Sequence, residues 1–254
     1  MKVNLLEKTF EIHYHEVGKD KKVHFFIIIN FLQDIFVKQL ETKNIGVDYL
    51  YANSETWIVS KWDISISKYP IYKDKIKVKT YPISIKKYFL YVKYEIFDEN
   101  YNLIMNATAL WMLVDLKDKK FLKLDQYLHN LYHNFDCIGN DAVNMDKLKT
   151  CQNISFKENF NISHSDFDTN GHVNNSKYIS WALDTIPDNI RNDYELIRIQ
   201  VNYKKEITTK QNVVSAIEAI PDYENNTTKF IHTIYINNDV IVAILETIWK
   251  PKVK

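Results

Sequence analysis

The chain has 254 residues, 46% of them hydrophobic and 14% aromatic, which is too much apolar mass for a disordered chain and enough for one large domain or two smaller ones. Its net charge is +1 and its basic residues are lysines apart from Arg191 and Arg198, so neither a global field nor a set of arginine forks points to nucleic acid. No stretch approaches the ~20 apolar residues of a membrane span, no signal-peptide run opens the chain, and Cys137 and Cys151 have no metal-ligand spacing around them. These features predict a cytoplasmic protein with no metal, no cofactor, no nucleic-acid partner and no membrane partner.

In chain order, a short strand is predicted from Phe10 to His15, closed by Gly18 and the charged run Lys19 to Lys22. Phe25, Ile28, Phe31, Leu32, Ile35 and Phe36 then recur at helical spacing, with Gln33, Asp34 and Lys38 outside and Gly46 as a stop. Strand-like runs follow near 55–67, 75–84, 87–97 and 102–115, with a hairpin turn at Asp98-Glu-Asn100. From Asn134 the chain is of mixed polar content without a period. A linker is therefore placed at 134–155, between a first domain at 1–133 and a second at 156–254.

The second domain repeats the order: a strand near 156–165, a helix near 174–186, then strands near 195–206, 211–220, 228–237 and 240–249. A shift of 150 lays Phe31-Leu-Gln-Asp34 on Trp181-Ala-Leu-Asp184. Identity is slight, so the repeat is one of architecture. Strand, long helix and antiparallel strands, twice over, make an α+β protein.

The stretch from Ser165 to Asp184 gathers the chemistry. Asp166, Asp168, Asn170, His172, Asn174 and Asn175 fall within ten residues, and Asn170-Gly171 is a strong turn signal. Ile179, Ala182, Leu183 and Ile186 follow at helical spacing until Pro187 ends the pattern. Acid, amide and imidazole groups therefore collect where a strand hands over to a helix N-terminus, whose free N–H groups and dipole favour a developing oxyanion. The same residues also suit an ordinary strand-to-helix loop in which Asn174 or Asn175 caps the helix.

The order of these residues, Asp168-Thr-Asn-Gly-His-Val-Asn-Asn-Ser-Lys-Tyr178, followed by Trp181 and by Tyr203-Lys-Lys-Glu206, resembles the acyl-acyl-carrier-protein thioesterases, the fatty-acid-releasing enzymes of plants and bacteria. The family pattern is Asp-x-Asn-x-His-Val-Asn-Asn, then a Tyr-Arg-Arg-Glu-Cys-like stretch. Lys204 and Lys205 stand for the arginines, and Ile207 stands for the cysteine. The likeness extends to Tyr14-His-Glu-Val-Gly18 and Tyr69-Pro70.

The resemblance implies two tandem hotdog domains, each a curled antiparallel sheet wrapped around one long helix. It implies hydrolysis of fatty acyl-carrier-protein thioesters in bacterial-type fatty acid biosynthesis, with acyl carrier protein as partner, by a monomer or homodimer. It selects Asp168, Asn170, His172 and Glu206 as catalytic. Glu206 would activate water and Asp168 would orient Asn170 and His172 or share the base role, while the helix amides after Val173 would face the oxyanion. Gly18-Lys-Asp-Lys-Lys22 stands where the second half has Asp168 to His172. The first half would therefore hold the acyl chain, along Phe25, Ile28, Phe31, Leu32 and Ile35, with Asn174 and Asn175 also meeting substrate. Ile207 removes a cysteine nucleophile at that position, and Cys137 and Cys151 are expected to be unreactive thiols.

Two features stay open at this level. Ile197, Ile199, Val201 and Tyr203 alternate inward, which puts Glu206 on the opposite face unless a bulge at Lys204-Lys205 or an early strand end intervenes. Residues 61–93 hold nine lysines against Asp63 and Asp74, with Lys75, Lys77 and Lys79 in a row on one strand face. The row is either a solvated face guarded by charge or a dock for an acidic carrier protein. An acyl-CoA thioesterase of the same fold and a non-catalytic acyl-binding protein are the rival functions, and the two carboxylates favour an enzyme.

Overall fold

The computed structural model describes residues 5–124, 143, 145–168, 170–237 and 239–252. The chain divides into two compact units, Met1–Trp62 with Ser67–Met145, and Asp63–Ile66 with Asp146–Lys254. Of the linker placed at 134–155, residues 134–142 and 144 lie outside the described residues, and the stretch from Asp146 onward belongs to the second unit.

The first unit carries β1 (Leu6–Glu11), α1 (Phe25–Glu41), α2 (Val47–Asn53), β2 (Glu55–Ile66), β3 (Lys75–Lys86), β4 (Phe89–Phe97), β5 (Leu103–Asp115) and the short β6 (Lys120–Phe121). Its strands lie in the order β1-β3-β4-β5-β2, with β6 on β5. The second unit carries β7 (Phe156–Asn161), α3 (Asn175–Asp184), α4 (Asp188–Asp193), β8 (Tyr194–Tyr203), β9 (Asn212–Asp222), β10 (Thr227–Ile236) and β11 (Val240–Pro251). Its order, β7-β9-β10-β11-β8, is the same order again. Each unit is thus one sheet with one long helix, the hotdog arrangement expected from the sequence.

In the first unit, burial overrides local preference. The run Ile27 to Ile29 is β-branched and favours strand, yet it sits in α1, where Ile28, Ile29, Leu32, Ile35 and Phe36 are all buried. Phe36 stacks on Trp111 with centroids 4.0 Å apart and meets Trp57 edge-on at 5.7 Å. The Trp111 indole N–H is satisfied by the Tyr94 hydroxyl at 3.1 Å. β3 and β4 alternate between buried and open positions, Ile76 and Val78 inward against Lys75, Lys77 and Lys79 outward.

Besides the unforeseen β6 and α4 and the end of β7 at Asn161, two elements of the first unit differ from the sequence reading. β1 ends at Glu11 because Tyr14–Glu16 forms a 3-10 turn, closed by the Glu16 carboxylate accepting the His13 N–H at 2.7 Å. α2 has no buried residue, so it lacked the apolar stripe by which helices are recognised. No helix among the described residues is long and apolar enough to cross a membrane.

In the second unit, α3 packs on β9 and β10. Beneath it His232 is fully buried, its Nε2 2.8 Å from Thr247 Oγ1, which also accepts the Trp249 indole N–H at 2.9 Å. Burial lowers the His232 pKa from 6.5 to about 3, against a small opposing effect of the Ala182 backbone. The imidazole is therefore neutral in the native protein while the unfolded chain takes up a proton as pH falls below 6.5. Native stability should decline as pH drops from 6.5 towards 3, and His232→Leu should flatten that decline. Urea unfolding of both proteins across this pH range checks it, and parallel slopes would refute the assignment.

Candidate active site

The loop between β7 and α3 is built from its own acids. Ser163 and Asp166 form a capping box around the 3-10 turn His164–Asp166, with the Asp166 carboxylate accepting the Ser163 N–H at 2.9 Å. That carboxylate also receives Lys177 Nζ at 2.8 Å, and the Asp166 carbonyl accepts the Asn174 N–H at 2.8 Å. Asp166 is 5% exposed. Burial alone would raise its pKa, but the Lys177 and Ser163 contacts outweigh it and hold the carboxyl below the usual range.

After a bridge between Phe167 and Val173, Asp168 becomes the centre of the turn. Its Oδ1 accepts the N–H of Asn170 at 2.9 Å and of His172 at 3.0 Å, while its own N–H donates to the His172 carbonyl at 2.7 Å. Gly171 closes the turn with φ of 74°, where an L side chain is strained. Asp168 therefore orients the backbone that carries Asn170 and His172. The Asn170 residue itself is exposed.

The helix N-terminus differs from expectation. Asn174 Oδ1 accepts Ser176 N at 2.9 Å and Ser176 Oγ at 2.8 Å, so Asn174 is the N-cap that the simpler reading anticipated. The amides of Val173, Asn174, Ser176 and Lys177 are all engaged by protein acceptors and do not face an oxyanion. The Asn175 N–H alone in this first turn has no acceptor among the described residues.

Glu206 reaches the loop because β8 stops early. The strand ends at Tyr203, and the next two amides, of Lys204 and Lys205, both donate to the Val242 carbonyl, at 2.8 and 3.2 Å. Ile207 is then pinned: its carbonyl accepts Val173 N–H at 2.9 Å and its N–H donates to the Tyr178 hydroxyl at 3.1 Å. Glu206 Oε2 consequently stands 3.4 Å from His172 Nε2, the two side chains 49% and 26% exposed. Both expected features are therefore present: the strand ends at Tyr203, and Lys204-Lys205 set two amides against one carbonyl, as in a bulge. The inward alternation does not hold as expected, because the β8–β11 register shifts at Ile197 and Leu196 is buried in its place.

The other candidate residues lie in the first unit or on its surface. Phe25, Ile28, Leu32 and Ile35 are buried, and Phe31 is half-buried and stacked on Phe10 at 4.4 Å. The row Lys75, Lys77 and Lys79 lies opposite Glu11, Thr9 and Glu7 of β1. Lys79 Nζ is 3.6 Å from Glu7, and Lys77 Nζ stands over the Tyr101 ring at 3.4 Å from its centroid. These pairings favour the solvated-face reading of the row. Among the described residues, no group of three or more His, Cys, Asp and Glu is placed to hold a metal ion.

Asp166 and Tyr178 carry contacts that their place in the sequence motif did not convey. Asp166 was legible as the last residue of Ser163-x-x-Asp166, a capping-box spacing. Tyr178 had no local signal, since its partner Ile207 is 29 positions away.

The first unit contains the same loop without the chemistry. Val17 bridges Val23, Gly18 N–H donates to the Lys22 carbonyl at 2.9 Å, and His24 N–H donates to the Glu16 carbonyl at 2.9 Å. Each bond has its counterpart 150 residues on, in Phe167–Val173, Asp168–His172 and Asn174–Asp166. Two units of one architecture, with Asp168 and His172 on the loop of the second where the first has Gly18 and Lys22, define a double-hotdog protein.

The chain belongs to the acyl-ACP thioesterase family: residues 4–132 match its N-terminal domain and residues 149–251 its C-terminal domain. The chloroplastic acyl-[acyl-carrier-protein] hydrolase FATB2 of Cuphea viscosissima is 24% identical over 98% of this chain and 63% of its own length. The chloroplastic dodecanoyl-[acyl-carrier-protein] hydrolase of Umbellularia californica is 21% identical over 98% of this chain and 68% of its own. The chain thus spans less than two thirds of the length of the Cuphea protein. The solved 12:0-ACP thioesterase from Umbellularia californica shares the fold with a TM-score of 0.86 at 19% identity, over 98% of this chain and 95% of that one. An acyl-ACP thioesterase from Bacteroides thetaiotaomicron does so with a TM-score of 0.81 at 17% identity, over 97% and 98%.

Cys137 lies outside the described residues. Cys151 is half-buried, with its thiol donating to the carbonyls of Ala216 at 3.4 Å and Ile231 at 3.2 Å. Burial pushes its pKa up, so little thiolate forms near neutral pH. In a Cys137→Ser background, Cys151 should be alkylated far more slowly in the native protein than in urea. Equal rates in the two states would show an exposed, reactive thiol.

Proposed function

We propose that the protein hydrolyses the thioester joining a fatty acyl chain to acyl carrier protein, releasing the free fatty acid in fatty acid biosynthesis. The approach of Glu206 to His172, at 3.4 Å on a loop whose backbone is fixed by Asp168, carries this reading. The names of the relatives support the same substrate class. Glu206 accepts a proton from water as the water oxygen attacks the acyl carbonyl carbon. His172 holds that water, and the Asn175 N–H, with the exposed Asn170 amide, meets the oxygen on which negative charge develops. When the C–S bond breaks, the proton passes to the carrier thiolate. No covalent acyl-enzyme is needed, in keeping with Ile207 and the buried Cys151.

The acyl chain is assigned to the first unit along α1, where Phe25, Ile28, Leu32 and Ile35 line the buried face and Phe31 is half-buried. This assignment is supported by the loop Gly18 to Lys22, which keeps the turn but has Gly18 and Lys22 in place of Asp168 and His172.

Glu206→Gln should lower turnover of acyl-carrier substrate by about 10²-fold or more, the usual size of general-base removal. Asp168→Asn retains an oxygen for the two backbone N–H groups, so its loss of activity reads the missing charge. Near-full turnover of Glu206→Gln would sink the base assignment.

The carrier protein docks beside the chemistry, at the exposed Lys204 and Lys205 that flank Glu206, in preference to the paired row on β3. Lys204→Glu with Lys205→Glu should lower kcat/KM for the carrier substrate and flatten its salt dependence, while a short acyl-pantetheine is turned over as before. Charge reversal at Lys75, Lys77 and Lys79 should do much less. The opposite ranking would move the dock to the β3 face.

A further inference from the structure

Glu206 stands in a segment beyond the end of β8, so no strand ladder fixes its carboxylate. Its position depends on the next residue. Ile207 is 1% exposed, and both of its backbone groups are bonded, the carbonyl to Val173 N–H and the N–H to the Tyr178 hydroxyl. Tyr178 is itself a rigid anchor. It is 2% exposed in the second turn of α3, edge-on to Tyr203 at 5.6 Å and tilted on Trp181 at 5.5 Å.

The first unit supplies an internal comparison. There the Val23 N–H donates to the carbonyl of Pro70 at 3.0 Å, the bond that Val173 makes to Ile207 in the second unit. Pro70 has no N–H to satisfy. The position 150 residues before Tyr178 is Ile28, buried and without a hydroxyl. The preceding residue is Tyr69, with no carboxylate to place. The pair of N–H donor and tyrosine hydroxyl thus occurs in the unit where a carboxylate must be aimed, and both members are missing together from the other.

We infer that Tyr178 is a positioning residue for the hydrolysis: by accepting the Ile207 N–H, its hydroxyl oxygen fixes the backbone that presents Glu206 to His172. The inference rests on the reading of Glu206 as the base. Burial foremost, with Glu206 and Asp168 adding and the Ile207 N–H opposing, raises the Tyr178 pKa, so the phenol keeps its proton and its oxygen serves as an acceptor throughout the working range. A shift of an ångström in Glu206 would leave the site chemically intact but misaligned, which lowers kcat more than it raises KM.

The test is a double-mutant cycle on acyl-carrier substrate. Tyr178→Phe should lower kcat about 10-fold with KM little changed, a loss of the size expected for a misplaced group. Thermal unfolding by circular dichroism reports whether each variant is folded at the assay temperature. In the Glu206→Gln background Tyr178→Phe should cost no more than about two-fold further, because the group it positions is gone. Wild-type kcat for folded Tyr178→Phe, or the same fold-loss in both backgrounds, would overturn the inference while leaving Glu206 as base. High activity of Glu206→Gln alone would overturn the base reading first and the positioning role with it.

Discussion

A single main-chain hydrogen bond, from the Val173 N–H to the Ile207 carbonyl, ties the loop after β7 to the segment after β8. The polar residues of the candidate site are arranged around that join. Upstream of it, Asp168 shapes the turn that holds His172; downstream, Glu206 is the residue just before the anchored one. A backbone bond of this kind contributes only about 1 kcal/mol net, but both ends are fixed by buried residues, so it sets geometry more than stability. The Ile207 side chain fits this role. It fills the core beneath the segment and leaves its neighbour Glu206 exposed at the surface.

The acids around this join, Asp166, Asp168 and Glu206, divide by their surroundings. Asp166 is buried, paired to Lys177 and engaged with Ser163, so its charge is used within the protein. Asp168 directs one oxygen to two amides and stays partly open. Glu206 is the most exposed of the three and has the imidazole for a neighbour. Carboxylates that look interchangeable in the sequence are therefore separated by depth.

Much of the fold was legible from periodicity. The helix that became α1, the strands that became β2 to β5 and the repeat at an offset of 150 follow from apolar spacing, because each element has one wet face and one dry one. α2 and β1 were missed or misplaced, since α2 buries nothing and β1 gives way to a 3-10 turn closed by Glu16. The meeting of His172 with Glu206 was not legible as geometry. It depends on two successive amides sharing the Val242 carbonyl and on a register shift at Ile197, neither of which leaves a mark in hydrophobic alternation. The assignment of the helix amides to an oxyanion narrows to Asn175 for a related reason: capping by Asn174 and the long-range partner of Val173 engage the amides around it.

In the loop of the first unit Lys21 adopts φ of 62°, where the second unit has Gly171 at 74°. A left-handed lysine is a strained conformation, by roughly 1–2 kcal/mol, and the first unit retains it although Gly18 and Lys22 replace Asp168 and His172 there. The bend is thus demanded by the way the chain must enter its helix. The polar cluster of the second unit occupies a shape that folding already required, so each molecule carries, in its other half, the blank against which that loop can be compared.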